Sequence, residues 1–300
     1  MDVMRVRRPV VAGTDGSDGA QRAVAWAAAE ALRRGSALRL VTALRLPGEG
    51  AADRPSAGRP GRADLLAAAR GRLAAAVAAA RGGAPGLEVT GDPVVGDPVE
   101  VLVESASDAQ LLVVGERGSG GFTGLQLGSV AAATAALATC PVVVVRGAEP
   151  EPSAGRPVVL GVDGTPASDA ATAFAHEAAA VRSTALVVVH TWSDPALEFG
   201  LASGADARVV EQEERRLLAE RLAGWGEKYP DVPVQCIVTR AHPVPELVTR
   251  SHGAQLLVVG SRCRATPEGV PLSSVSQAVL HRSGCPVAVV PSGVGPDRWA

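Results

Sequence analysis

A chain of 300 residues is long for a single hydrophobic core and suits two domains. Hydrophobic residues make up 47% and aromatics only 3%, so the cores must be built from Ala, Val and Leu, and a stacking platform for single-stranded nucleic acid is excluded. A formal charge of −2 gives no electrostatic footprint for DNA, RNA or an anionic membrane, and apart from Lys228 there is no lysine for a Schiff base or a Walker-type phosphate loop.

The N-terminal apolar run ends at Ala12, shorter than a signal-peptide core, and Gly13-Thr14-Asp15-Gly16 follows at once. No stretch approaches the roughly 20 apolar residues of a membrane span. A cytoplasmic protein with no membrane and no nucleic-acid partner is therefore expected. Short β-branched runs at 10–14, 38–43, 87–95, 111–115 and 142–145 predict buried parallel strands. The Ala/Leu/Arg/Glu-rich stretches between them, 18–34, 62–81, 98–107 and 129–139, predict helices. Gly96-Asp97-Pro98 is a helix start, with Asp97 placed to cap and Pro98 suited to the first helical position.

The chain then repeats itself. Pro9-Val10-Val11-Ala12-Gly13-Thr14-Asp15-Gly16 returns as Pro157-Val158-Val159-Leu160-Gly161-Val162-Asp163-Gly164. Leu111-Leu112-Val113-Val114-Gly115 returns as Leu256-Leu257-Val258-Val259-Gly260, and Cys140-Pro141-Val142 as Cys285-Pro286-Val287. A polar, Pro/Gly-rich segment separates the copies, so residues 1–147 are read as repeat one, 148–156 as a linker and 157–293 as repeat two. The second repeat's longest helix is expected near 206–228, and its third from His242-Pro243. The four cysteines form no CxxC pair and read as reduced, mostly buried thiols. The five histidines show no ligand spacing, so no metal-site role is expected of them.

Strand–helix alternation implies an α/β protein of two tandem doubly wound domains, each a five-stranded parallel sheet flanked by helices. Ligands in such sheets lie at the carboxyl ends of strands, where strand order reverses. There the segment from Gly115 to Ser129 holds six glycines in fifteen residues and enters a helix at Gly128-Ser129. Free N–H groups and the helix dipole at that position favour a phosphate, and the Ser129 hydroxyl could bind a phosphate oxygen or help hold a metal ion. A Walker loop would need a lysine before Ser129, and a dinucleotide fingerprint would follow the first strand rather than the fourth. Arg117 reads as a phosphate partner or a solvated arginine, and Glu116 as solvated.

The spacing of Gly115, Gly118, Gly128 and Ser129 resembles the nucleotide motif of the universal stress protein family: Gly, two residues, Gly, nine residues, Gly, then Ser or Thr. The resemblance extends over nearly the whole chain, through both Gly-x-Asp-Gly segments, both Val-Val-Gly segments and both Cys-Pro-Val endings. It implies ATP, with or without Mg²⁺ near Ser129, held by Asp15, Val41, Gly115, Gly118, Gly128, Ser129 and Val130, with Ala12, Thr14 and Arg117 as further candidate contacts. Asp15 and the backbone around Val41 would face the adenine, the Gly115–Gly118 turn the ribose and α-phosphate, and Gly128, Ser129 and Val130 the outer phosphates. From the residues alone, Asp15 could equally brace the turn before the first helix. The resemblance also implies pairing of the fifth strands, which in a tandem chain makes an intramolecular pseudo-dimer, with a homodimer as a further possibility.

The second repeat departs from this pattern. Asp163, Gly260, Arg262 and Ser274 occupy the equivalent positions, but Cys263 replaces the second glycine and Ser273 the third, while Pro267 and Pro271 remove donors and Glu268 adds a negative charge. Much weaker or absent ATP binding is expected there, with AMP a remaining ligand and Cys263 either an inert thiol or a redox-sensitive one. Three functions stay open: a nucleotide-dependent stress-response regulator, a slow Mg²⁺-dependent ATPase, and an interaction module without nucleotide. Adenylating enzymes would need a Ser-Gly-Gly-x-Asp-Ser type loop, which Gly13–Asp18 does not supply.

Overall fold

The computed structural model describes residues 7–46, 61–119, 126–147, 155–192, 207–261 and 272–299. The chain divides into two units, Met1–Glu149 with Asp297–Ala300, and Pro150–Pro296. The first runs β1 (Val10–Gly13), α1 (Asp18–Arg34), β2 (Leu38–Leu44), α2 (Arg62–Gly83), β3 (Val89–Val95), α3 (Pro98–Ser105), β4 (Leu111–Gly115), α4 (Ser129–Leu137) and β5 (Val142–Val145). The second runs β6 (Val158–Val162), α5 (Asp169–Val181), β7 (Leu186–Trp192), α6 (Ala207–Leu222), α7 (Trp225–Lys228), β8 (Val234–Arg240), α8 (Pro243–Ser251), β9 (Leu256–Ser261), α9 (Ser274–Arg282) and β10 (Val287–Pro291).

Each unit is the doubly wound α/β layer expected from the alternation. Strand order is β3-β2-β1-β4-β5 in the first and β10-β9-β6-β7-β8 in the second, with parallel pairs throughout each. The chain moves outward from β1 to β3, then returns to the other side of β1 as β4. The carboxyl ends of β1 and β4 therefore form the switch point at which a ligand crevice opens.

Short side chains let the helices lie close on the sheet. Ala20, Ala23, Ala27 and Ala31 of α1 are buried at helical spacing, over strands whose Val10, Val11, Leu112 and Val113 are fully buried. Ser17 starts α1 by accepting the Ala20 N–H at 3.2 Å, and Gly35, at φ +58°, ends it. One helix departs from expectation. The stretch near 206–228 is not continuous: α6 stops at Leu222, and Gly224 at φ +84° turns the chain before α7.

Edge position decides what period alone could not. β3 carries Pro93 and half-exposed Val94 and Val95, tolerated because an outer strand has no second ladder to break. Cys236, on outer strand β8, is exposed, unlike buried Cys140 and Cys285; Cys263 lies outside the described residues. Burial pushes the Cys140 thiol up to about 11, so it stays protonated and inert. Among the described residues no helix is long and apolar enough to cross a membrane.

The first unit also buries an ion pair. Arg34 Nε donates to Glu30 Oε1 at 2.6 Å, with both side chains essentially inaccessible to water. Arg34 Nη1 reaches Gln110 Oε1 at 3.2 Å, and Gln110 Nε2 donates to the Arg8 carbonyl at 2.5 Å. The end of α1 is thereby tied to the entries of β1 and β4. Glu30 also lies 3.4 Å from Arg33, and breaking a buried ion pair by removing one partner costs about 3–5 kcal/mol. Glu30→Ala is expected to lower the first unit's unfolding free energy by that amount, read as a lower urea midpoint at unchanged slope. An unchanged midpoint would show that the pair is dispensable.

Candidate functional site

At the switch point β1 and β4 each hand the chain to a loop. After β1, the backbone N–H of Thr14 still bonds the Val41 carbonyl at 2.9 Å, and Asp15 follows at the turn into α1. Asp15 Oδ1 accepts the Ser17 N–H at 3.0 Å, and Oδ2 accepts the Ser119 N–H at 2.6 Å. The first bond braces the turn before α1. The second staples the loop after β4 to it, so Asp15 joins two segments a hundred residues apart. Burial raises the Asp15 pKa, but hydrogen bonds from Ser17 and Ser119 outweigh it and hold the carboxyl below its ordinary value.

The glycines of this loop serve packing of the protein on itself. A Cβ on Gly118 would stand 2.5 Å from Asp15 Oδ2, and one on Gly115 would stand 2.5 Å from the Gly19 carbonyl oxygen. The described end of the loop is closed by Gly128 N–H donating to the Glu116 carbonyl at 2.7 Å. Gly120, Gly121 and Gly124 lie outside the described residues. Gly128 is then the N-cap of α4, with no side chain to cap it, so the first-turn N–H groups of α4 face a cavity of about 450 Å³.

That cavity brings together Thr14, Asp15, Val41, Gly115, Arg117, Gly118, Gly128, Ser129 and Val130. Its volume is within the range of small-ligand pockets, roughly 300–1,000 Å³. Ala12 is the exception among the expected residues. It is fully buried in β1, paired in register with Leu40 and Val113, and Gly13 lines the cavity in its place. Glu116 also departs from expectation, being buried rather than solvated. Arg22 at 3.6 Å, Arg117 at 3.8 Å and Arg146 at 3.5 Å surround its carboxylate. Arg117 is itself half-exposed, so its side chain is free to reorient. Other lining residues, among them Ala43, Arg45, Pro98 and Leu102, were not singled out as site residues from the sequence. A cation immediately after the second strand was the one available signal for Arg45.

The second unit has an equivalent cavity of about 360 Å³, lined by Asp163, Gly260, His242, Ser273 and Ser274 among others. Arg262 lies outside the described residues. Asp163 accepts from Thr165 N at 3.0 Å, Thr165 Oγ1 at 2.7 Å and Ser168 Oγ at 2.8 Å. The helix start differs too. Ser273 caps α9 with its own hydroxyl, which accepts the Ser276 N–H at 3.1 Å, while Ser276 Oγ donates to the Gly260 carbonyl at 2.9 Å. His190 bridges β7 to α6 through Glu214 Oε2 at 2.8 Å.

The staple has a pH signature. Because the folded pKa of Asp15 is depressed, its stabilisation is complete above the ordinary carboxylate value of 3.8 and is lost as pH falls through the lower folded value. An NMR titration is expected to place Asp15 below 3.8 in the native chain and to move it up in Gly118→Ala, whose new methyl displaces Oδ2. A native Asp15 titrating at its ordinary value would show that the staple is not formed.

A family model described as the universal stress protein family matches residues 7–146 and again 155–291. The chain is 38% identical over 297 residues to universal stress protein Rv2005c of Mycobacterium tuberculosis, covering 96% of this chain and 99% of that one. Its fold is similar to the crystal structure of a universal stress protein from Archaeoglobus fulgidus, at TM-score 0.70 and 17% identity, over 95% of this chain and 98% of that one. A universal stress protein solved in complex with cAMP matches about one repeat, 47% of this chain and 98% of that one, at 35% identity and TM-score 0.33. Two matched domains, the shared tandem length and the common fold establish that this chain belongs to the universal stress protein family, with two such domains in tandem.

Proposed function

We propose that the first repeat binds ATP, with or without Mg²⁺, and that the protein acts as a cytoplasmic nucleotide-dependent stress-response regulator. The observation that carries this reading is the start of α4, which among the described residues carries no side-chain cap. Gly128 offers no competing oxygen, so the first-turn N–H groups and the positive end of the helix are available to phosphate oxygens. The ligand cradle fits a nucleotide end to end: an open helix terminus beside Ser129, the Gly115–Gly118 turn in the middle, and the apolar Val41, Ala43, Pro98 and Leu102 at the far side. Ser129 is the side chain that would meet a metal ion carried by the phosphates.

Binding without turnover follows from how the nearby carboxylates are used. Each Asp15 oxygen accepts a backbone N–H, which fixes the carboxylate as a loop brace, and Glu116 is encircled by arginines. Neither is disposed to orient an attacking water. In the second repeat, Ser273 occupies one of the donors that a phosphate would use, which supports weaker nucleotide binding there.

The caps provide the test. Calorimetry on the full chain is expected to give one tightly bound ATP. Gly128→Ser, which installs a self-cap like that of α9, is expected to weaken it about tenfold, the equivalent of ~1.4 kcal/mol. Two equivalent ATP per chain would overturn the asymmetry, and no binding by the native chain would overturn the nucleotide reading.

A further inference from the structure

The end of the first cavity farthest from the helix terminus carries a cation without an assigned role. Phosphates are favoured beside α4, after β4, and β2 lies two strand spacings away across the sheet, roughly 10 Å. At that side Val41 and Ala43 face the cavity together with Pro98 and Leu102 of α3, an apolar setting suited to a heterocyclic base. Arg45, directly after β2, lines the same end. Its guanidinium is held by the carboxylate of Asp97, which at the same time caps α3 by accepting the Val99 N–H at 2.9 Å. One carboxylate thus fixes both the α3 wall of the cavity and the arginine beside it.

The pair is largely open to water, with Arg45 69% and Asp97 37% exposed, so it contributes little to the stability of the fold. Its position is better explained by what it presents. A guanidinium is planar, permanently charged and weakly hydrated, and it stacks on the face of aromatic heterocycles. Asp97 leaves that plane beside an apolar wall in a cavity whose polar donors lie at the opposite end.

We infer that Arg45 is a ligand-contacting residue that lays its guanidinium on the base of the bound nucleotide, with Asp97 as the positioning residue that orients it. The inference rests on the first cavity being a nucleotide site. It assigns Arg45 to the base and not to the phosphates. Its contribution must then be the same for every ligand that shares the adenine ring.

Affinities of ATP, AMP and adenosine for the full chain, measured by displacement of a fluorescent ATP analogue, separate these roles. Arg45→Ala is expected to weaken all three by a common factor, roughly two- to thirtyfold. Asp97→Asn keeps an N-cap side chain and is expected to weaken all three equally but less. Unchanged melting temperatures in both variants are expected from the exposure of the pair. A loss confined to ATP would make Arg45 a phosphate contact and overturn the inference, as would equal affinities in Arg45→Ala and the native chain. Failure of the native chain to bind any of the ligands would instead remove the nucleotide reading, and this assignment with it.

Discussion

The Asp15 carboxylate holds the first site together. Its two oxygens bond the turn after β1 and the loop after β4, through the Ser17 and Ser119 N–H groups, and the Ser17 hydroxyl adds a longer bond to the Arg117 carbonyl at 3.5 Å. Parallel strands deliver their carboxyl ends side by side, but nothing in the ladder fixes the loops that leave them. A charged acceptor with two backbone donors does so, and such charge-assisted bonds are shorter and stronger than neutral ones. Gly118 follows as a steric consequence, because any side chain there would occupy the space of Oδ2.

The two repeats share this frame and use it differently. Among the described residues, Asp163 accepts from Thr165 and Ser168 of its own turn. Ser273 caps the helix that Gly128 leaves open. A duplicated fold thus carries two differently capped helix starts at equivalent positions, with no change in strand order. The difference lies in a few polar atoms at one helix start.

Much of this was legible in the sequence, for local reasons. Short apolar runs located β4 and β5, and an Ala/Leu/Arg/Glu-rich stretch α1, at their observed limits, while the β4 loop spacing singled out Gly115, Gly118, Gly128 and Ser129 of the cavity lining. Interactions that depend on the order of strands were not legible. Cys236 is exposed because β8 is an outer strand, which no periodicity encodes. Glu116 looked solvated because its three arginines come from α1, the loop and the end of β5. Arg45 and Asp97 are 52 residues apart and meet only because β2 and α3 flank the same cavity. Ala12 fell within the resemblance, yet its position in the β1 ladder turns it into the core.

The central claim is that the open terminus of α4, and not the capped terminus of α9, receives the phosphates. Hydrogen–deuterium exchange of the full chain with and without ATP tests it most directly, since the groups in question are backbone amides. The account predicts slowed exchange at Ser129, Val130 and Ala131 on adding ATP, with the amides of Ser274, Val275 and Ser276 unchanged. Protection of the second set alone, or of both sets equally, would contradict it.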